Sequence, residues 1–247
     1  MNFRDVTARA HEFRVMTAGA FTAAYLELIP KLERVTKKKL VTVTTSIGTG
    51  ETSILSRLKR GEVADIVIVA EPIFHQFAAD GLVLSEGHAL LARSIIAMAV
   101  REGAPKPDIS SVDALRNTLL RAKSIGYSAS ESGKYFSTEL VQRLGVADQV
   151  LPKSRLIGGG VRVGAVVASG ELEIGFQQVS ELLPVKGIAH ITPLPPELQK
   201  VTSVIAGVSA NSPDKACARS AIQFLASTEA ANAISQSGLE PMRPVNS

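Results

Sequence analysis

The stretch Arg57 to Glu71, RLKRGEVADIVIVAE, decides the fold class. The basic residues Arg57, Lys59 and Arg60 precede Gly61, and the unbroken apolar run IVIVA follows Asp65. A glycine at a helix end, followed by a run rich in β-branched residues, is typical of a helix that leads into a fully buried strand. This stretch therefore predicts one βα step of a parallel sheet.

The segments on either side repeat this alternation of strand and helix. Working outward, the predicted strand and helix pairs are 13–19 with 23–36, 40–46 with 52–61, and 64–70 with 72–81. Three successive βα units indicate a mainly parallel sheet covered by helices. The apolar run RSIIAMAVREG, residues 93–103, then predicts a buried strand or a crossing into a second lobe.

A second series of elements predicts that second lobe. Its segments are a capped helix at 110–123, a strand at 124–128, a helix at 132–145, a helix at 161–170 and a strand at 172–178. A strand at 203–210 and helices at 214–227 and 229–238 close the chain. We therefore expect a two-lobed α/β fold, with 1–94 and 208–247 in lobe 1 and 95–207 in lobe 2. The two crossings should lie near 94–98 and 202–208.

The composition argues against several functional classes. The 247 residues carry a net charge of only +4. The basic run TKKKL at 36–40 follows a predicted helix, so we interpret this run as a solvated helix end and not as a nucleic-acid-binding patch. Cys217 is the only cysteine and the four histidines are widely spaced. These patterns support neither a disulfide nor a zinc motif, and we expect no metal and no cofactor.

The amino terminus carries Arg4, Asp5 and Arg9 where a signal peptide needs an apolar run. As written, the sequence predicts a cytoplasmic location, with the periplasm as the alternative if a leader was removed or the start was misassigned. The sequence also lacks an apolar segment long enough to span a membrane, for which about 18 residues are needed.

Three loops share one construction, in which small and hydroxyl residues follow a strand and open a helix. They are TAGAFT at 17–22, SIGTGETS at 46–53 and SASESGKY at 128–135. The second resembles a phosphate-binding loop but has Glu51 in place of the lysine, which argues against a nucleoside triphosphate; we expect Glu51 in the first turn of a helix instead. Unpaired N–H groups at helix starts and neutral hydroxyls predict an anion site where these strands end.

The order of these segments resembles the periplasmic molybdate-binding proteins and related type 2 solute-binding proteins, over about residues 13–244. The matching stretches are 17–33, 57–71, 128–135, 166–181 and 221–241. The resemblance implies two lobes that close on an anion, and an ABC importer as partner if the protein is exported. Ala20 and Gln178 stand where the family has a serine and a tyrosine as oxyanion ligands. These departures, with the stretches 91–111 and 174–184, point to a subgroup that includes aconitate isomerase.

The loops and the resemblance together predict the residues that contact a small anion, with an organic acid favoured over molybdate. The candidates are Gly19, Ala20, Phe21, Ser46, Thr49, Gly50, Thr52, Arg93, Ser128, Ser130, Ser132, Gly133, Val161, Gln177 and Gln178. Arg93 is either a bidentate carboxylate contact or a structural ion pair. Gln177 and Gln178 should point to opposite faces of their strand, since neighbouring strand residues alternate.

Two functions remain open on the sequence alone. The first is a binding protein that holds a di- or tricarboxylate without changing it. The second is an allylic isomerase that moves a proton along a tricarboxylate in the same site, which requires a base. The candidates for that base are Glu51, Tyr127, Glu131 and Lys134.

Overall fold

The computed structural model describes residues 12–17, 19–45 and 50–242, and no side chain is described for Thr44. Packing divides the chain into two compact units, Met1–Arg93 with Ser203–Ser247, and Ser94–Thr202. The chain thus passes between the units beside Arg93 and again beside Thr202. Residues 203–207, expected in lobe 2, pack with the first unit because their strand pairs with its sheet.

The first unit contains a six-stranded sheet with helices around it. Its strands are β1 (Glu12–Thr17), β2 (Lys39–Thr44), β3 (Ile66–Ala70), β4 (Ala89–Ser94), β10 (Thr202–Val208) and β11 (Glu240–Pro241), in the order β11-β4-β10-β3-β1-β2. Its helices are Thr22–Thr36, Ile54–Lys59, Glu71–Ala79, Lys215–Leu225 and Thr228–Gln236, with a short 3-10 turn at Gly19–Phe21. The strands predicted at 13–19, 40–46 and 64–70 are β1, β2 and β3, and β1 pairs in parallel with both of the others.

Strand β3 shows why the apolar run must be continuous. Ile66 and Ile68 pack in the cluster that includes helices 22–36 and 215–225, whereas Val67 and Val69 pack in the cluster under helices 54–59 and 71–79. Because successive side chains point to opposite faces, a sheet covered on both faces needs apolar residues at every position. The carboxyl-terminal helices therefore complete the first unit, as the order of the elements predicted.

Asp65, which precedes this run, forms hydrogen bonds to two parts of the first unit that are distant in sequence. Its buried carboxylate accepts hydrogen bonds from the backbone N–H of Arg14 at 2.8 Å and from the Ser212 hydroxyl at 2.9 Å. Burial raises the pKa of this carboxyl, and the two hydrogen bonds oppose that rise. The acidic residue at the strand entry therefore connects β1 to the segment that precedes helix 215–225.

The second unit contains a five-stranded sheet. Its strands are β5 (Ile96–Arg101), β6 (Ile125–Ser128), β7 (Ser154–Ile157), β8 (Ile174–Gln178) and β9 (Ile188–Pro193), in the order β7-β6-β8-β5-β9. Its helical segments are Val112–Arg121, Glu131–Tyr135, a π turn at Phe136–Leu140, Val141–Arg143, Ala147–Val150, Val163–Ala168 and Val179–Leu182, with 3-10 turns at Leu151–Lys153 and Pro196–Leu198. The capped helix predicted near 110–123 begins as expected, with the Ser111 hydroxyl accepting from Ala114 N–H.

Both sheets are mixed rather than wholly parallel. In the second unit β6 is parallel to β7 and β8, but β5 runs antiparallel to β8 and β9. In the first unit β10 runs antiparallel to β3. The antiparallel strands β5 and β10 both begin where the chain crosses between the units. Each of them enters its sheet directly from the other unit and not through a helix that returns the chain over the same sheet. The α/β class with helix-flanked sheets is confirmed. No helix among the described residues is long and apolar enough to cross a membrane.

Candidate functional site

The loop after β1 opens the first unit's helix 22–36 through a glycine turn. Gly19 has a φ of 72°, a conformation that favours glycine, and it begins the turn that places Phe21 in the core. Ala20 also packs against that core. Thr17 is buried, and its hydroxyl has no partner among the described residues. The Phe21 side chain is thus a packing group, whereas Thr17 leaves an unused hydroxyl where β1 ends.

The loop after β2 lies partly outside the described residues, and Ser46 and Thr49 both fall there. Gly50 and the side chains of Glu51 and Thr52 are exposed. The helix begins at Ile54, with Ser53 as its cap through a hydrogen bond from Ser56 N–H. The expectation for Glu51 was wrong, because it precedes the cap instead of lying in the first helical turn.

The loop after β6 holds three serine hydroxyls in a triangle. Ser128 Oγ lies 2.7 Å from Ser130 Oγ and 3.0 Å from Ser132 Oγ, and the last two are 3.2 Å apart. Ser128 and Ser132 are buried, while Ser130 is partly exposed. Since each hydroxyl both donates and accepts, Ser130 can turn its proton outward to an anion while the other two hydroxyls support it.

Gly133 permits this triangle because its backbone touches the end of β6. A Cβ at this position would lie 1.6 Å from the carbonyl oxygen of Ser128. No side chain fits there, so the glycine of the SASESGKY loop is required for the close approach. It positions Ser132 against Ser128.

Three further candidates, Tyr127, Glu131 and Lys134, lie in or beside this loop. Tyr127 stacks on Phe136 with ring centroids 5.2 Å apart and packs against the core. Lys134 is exposed and Glu131 is partly exposed, in the first turn of the helical segment that follows. Lys134 is thus the most exposed of the three, and Tyr127 is half-buried with its ring packed on Phe136.

The two glutamines that end β8 point to opposite faces, as alternation predicted. Gln178 accepts from Ser94 Oγ at 2.7 Å and donates to Thr202 Oγ1 at 3.3 Å, so it joins the two places where the chain leaves the second unit. Gln177 accepts from Val163 N–H at 3.1 Å and donates to Glu181 Oε1 at 2.9 Å. Both amides are buried and already hydrogen-bonded.

Glu181 and Arg162 are residues that sequence reasoning missed. Burial raises the pKa of Glu181 to about 7, although the hydrogen bond from Gln177 and the charge of Arg162 both lower it. Arg162 is exposed at the N-cap position of helix 163–168, directly after the exposed candidate Val161. The stretch QQVSE contained the signal, because Glu181 follows Gln177 by four residues across the start of a helix.

Arg93 is exposed near the end of β4. Its backbone pairs with Glu240 of β11, yet within residues 12–17, 19–45 and 50–242 its side chain has no ion-pair partner. The structural ion pair considered from the sequence therefore finds no support in this part of the chain.

Comparison with known proteins now fixes the family. Residues 13–240 match the family model described as bacterial extracellular solute-binding protein. The chain belongs to this family. The chain is also 40% identical to an aconitate isomerase of Pseudomonas sp over 229 residues, which cover 92% of this chain and 87% of that protein.

Solved structures agree on the fold of this solute-binding protein. The periplasmic molybdate-binding protein of Azotobacter vinelandii superposes with a TM-score of 0.74 at 16% identity, covering 92% of this chain and 98% of that one. The sulfate-binding protein SubI of Mycobacterium tuberculosis H37Rv gives 0.72 at 15% identity, covering 94% and 88%. The resemblance to molybdate-binding-like type 2 binding proteins is confirmed.

Removal of the outermost hydroxyl of the serine triangle tests the second unit's loop. We expect Ser130→Ala to weaken anion binding by about 0.5 to 1.5 kcal/mol, the value of one neutral hydrogen bond, or by up to about 3 if the acceptor is charged. Thr138→Ala is the matched control, because Thr138 is exposed and donates only to the Lys134 carbonyl. Calorimetric titration measures both variants, and equal affinities for Ser130→Ala and wild type would remove Ser130 from the site.

Proposed function

We propose that this protein binds a small organic di- or tricarboxylate at its strand-end loops. The observation that carries the proposal is the 40% identity to an aconitate isomerase over 92% of the chain. A tricarboxylate of the aconitate type is therefore the first ligand to test. Thr49 and Ser46, which lie outside the described residues, remain proposed contacts.

The described side chains support a carboxylate over a tetrahedral oxyanion. Ala20 has no hydroxyl to offer, and Gln178 is occupied by Ser94 and Thr202. Arg93 is exposed without an ion pair to the described residues, and a guanidinium matches a carboxylate with two parallel hydrogen bonds. The serine triangle adds neutral donors.

The same identity favours a second candidate function, an allylic isomerase. A base would take a proton from the carbon between a carboxylate and the double bond, and the charge would spread into that carboxylate. Return of the proton to the far carbon of the allylic unit would complete the shift. The proposed bases remain Glu51, Tyr127, Glu131 and Lys134; the exposure of Glu131 and Lys134 beside the serine triangle favours these two.

The family description supports a location outside the cytoplasm. We therefore propose the periplasm or cell exterior as the site of action, and an ABC importer as partner if the protein delivers its ligand.

A thermal-shift panel of carboxylates, molybdate, tungstate and sulfate tests the ligand class, and proton NMR of each hit tests turnover. We expect stabilisation by di- or tricarboxylates. Transfer of the aconitate signals from one isomer to the other in the presence of protein would establish the isomerase. Binding without such a change would establish the binding protein, and a shift with oxyanions alone would overturn the proposed ligand.

A further inference from the structure

Gln177 connects the start of helix 163–168 to a buried carboxyl group. Its Oε1 must face Val163 N–H, because a backbone amide only donates, so its Nε2 has to donate toward Glu181. The orientation of this buried amide is thereby fixed at both ends. The helix start and the Glu181 carboxyl form one hydrogen-bonded chain.

The carboxyl end of that chain is incompletely satisfied. Glu181 Oε2 is buried and has no hydrogen-bond partner among the described residues. A buried carboxylate oxygen without a donor is costly, whereas a protonated carboxyl in the same place costs much less. Burial accordingly raises the pKa of Glu181 to about 7, so the group changes charge near neutral pH.

The charged surroundings of Glu181 single out Arg162. The elements that pack against the Glu181 helix are β5, β8, β9 and helix 163–168. Strand β8 has no titratable side chain, β5 carries Arg101, and β9 carries His190. Arg162, which directly precedes helix 163–168, is the cation whose charge lowers the pKa of the carboxyl.

Arg162 directly follows Val161, one of the candidate anion contacts. It occupies the N-cap position of helix 163–168, whose first N–H donates to Gln177, and it follows the turn in which Gly159 and Gly160 have φ values of 65° and 84°. An ionised Glu181 attracts this guanidinium and repels an anion nearby. A protonated Glu181 does neither.

We propose that Glu181 is a proton-linked positioning residue of the anion site, whose protonated form leaves Arg162 free to bind the anionic ligand. The inference rests on the proposed function in that the ligand is an anion bound near Val161, the candidate contact next to Arg162. Ligand and proton then bind together. Ligand binding favours proton uptake by Glu181, and a rise in pH weakens binding.

Calorimetric titration of wild type and Glu181→Gln with trans-aconitate and with molybdate, at two pH values, tests this link. If only the protonated form is competent, its fraction falls about tenfold between about pH 6 and pH 8, and wild-type affinity falls by the same factor relative to the variant. The ratio between the two proteins cancels any titration of the ligand. Glu171→Gln is the matched control, since its exposed carboxyl has a pKa lowered by Arg155 and stays ionised throughout.

Two further variants and a melting experiment separate a proton link from a structural role. Arg162→Ala, an exposed position, should bind more weakly at the lower pH and lose most of the pH dependence. Because folding raises the Glu181 pKa from 4.5 to about 7, its stabilising contribution is complete below the lower value and is lost as the pH rises through the higher one. The melting temperature of wild type without ligand should therefore fall relative to Glu181→Gln over that interval.

The outcomes distinguish the inference from the proposed function. Aconitate binding with the same pH dependence in wild type and Glu181→Gln would overturn the proton link alone. Molybdate binding with the expected dependence, and no aconitate binding, would overturn the proposed carboxylate and support the link. Binding of neither probe would overturn both.

Discussion

Gly133→Ala should destabilise the second unit by about 3 kcal/mol or more, at or beyond the upper end of ordinary overpacking. The new Cβ would lie 1.6 Å from the Ser128 carbonyl oxygen and 2.6 Å from its carbon. Both atoms belong to the backbone at the end of β6, which is paired with β7 and β8, so neither can rotate away. Chemical denaturation monitored by circular dichroism measures the loss.

Gly158→Ala is the matched control for that variant. Gly158 also follows a strand of the second sheet, but its Cβ would meet only the Ala129 Cβ at 3.4 Å, an ordinary contact. We expect a change within about 1 kcal/mol in either direction, because alanine also restricts the unfolded chain. Equal stability of the two variants would show that the serine loop does not require the close approach at Gly133.

Arg93→Ala should weaken carboxylate binding by about 2 to 5 kcal/mol if the guanidinium is buried against a ligand carboxylate, because truncation leaves that charge unpaired. Arg93 lacks an ion-pair partner in the described part of the chain, so little stability should be lost in the free protein. Calorimetric titration and melting curves of the same variant measure the two effects.

A structural role for Arg93 gives the opposite pair of results. The melting temperature of the free protein would fall, and affinity measured well below it would stay nearly unchanged. Arg121→Ala is the control for removing a surface cation from an exposed position, since its Nε donates only to the Asn117 carbonyl at the end of its own helix. Loss of affinity in both variants would indicate a general charge effect instead of a contact.

Most of the fold could be predicted from local patterns. The IVIVA run, the glycine before it and the repeated helix starts specify βα units without any tertiary information. The mixed pairing was not predictable in the same way, because nothing in IAMAVR indicates which neighbour β5 pairs with. Its direction follows from the chain crossing beside Arg93, which is a property of the whole topology.

The site was predicted in part, for a similar reason. Hydroxyl residues after a strand located the Ser128 loop, since that signal is local. Glu181 was not predicted as a site residue. Its raised pKa results from burial, and its hydrogen bond from the Gln177 amide depends on the fold, so neither can be read from sequence spacing. The stacking of the Tyr127 ring on Phe136 was likewise not predictable from the sequence, because it depends on how helix and strand pack in the second unit.

Titration of the wild-type protein with aconitate, beside molybdate as competitor, tests the central claim most directly. We predict saturable binding of the tricarboxylate that molybdate does not displace, with stabilisation of about 2.7 kcal/mol when the ligand is at a hundredfold excess over its dissociation constant. Molybdate binding at micromolar concentration, with no heat from any di- or tricarboxylate, would contradict the account.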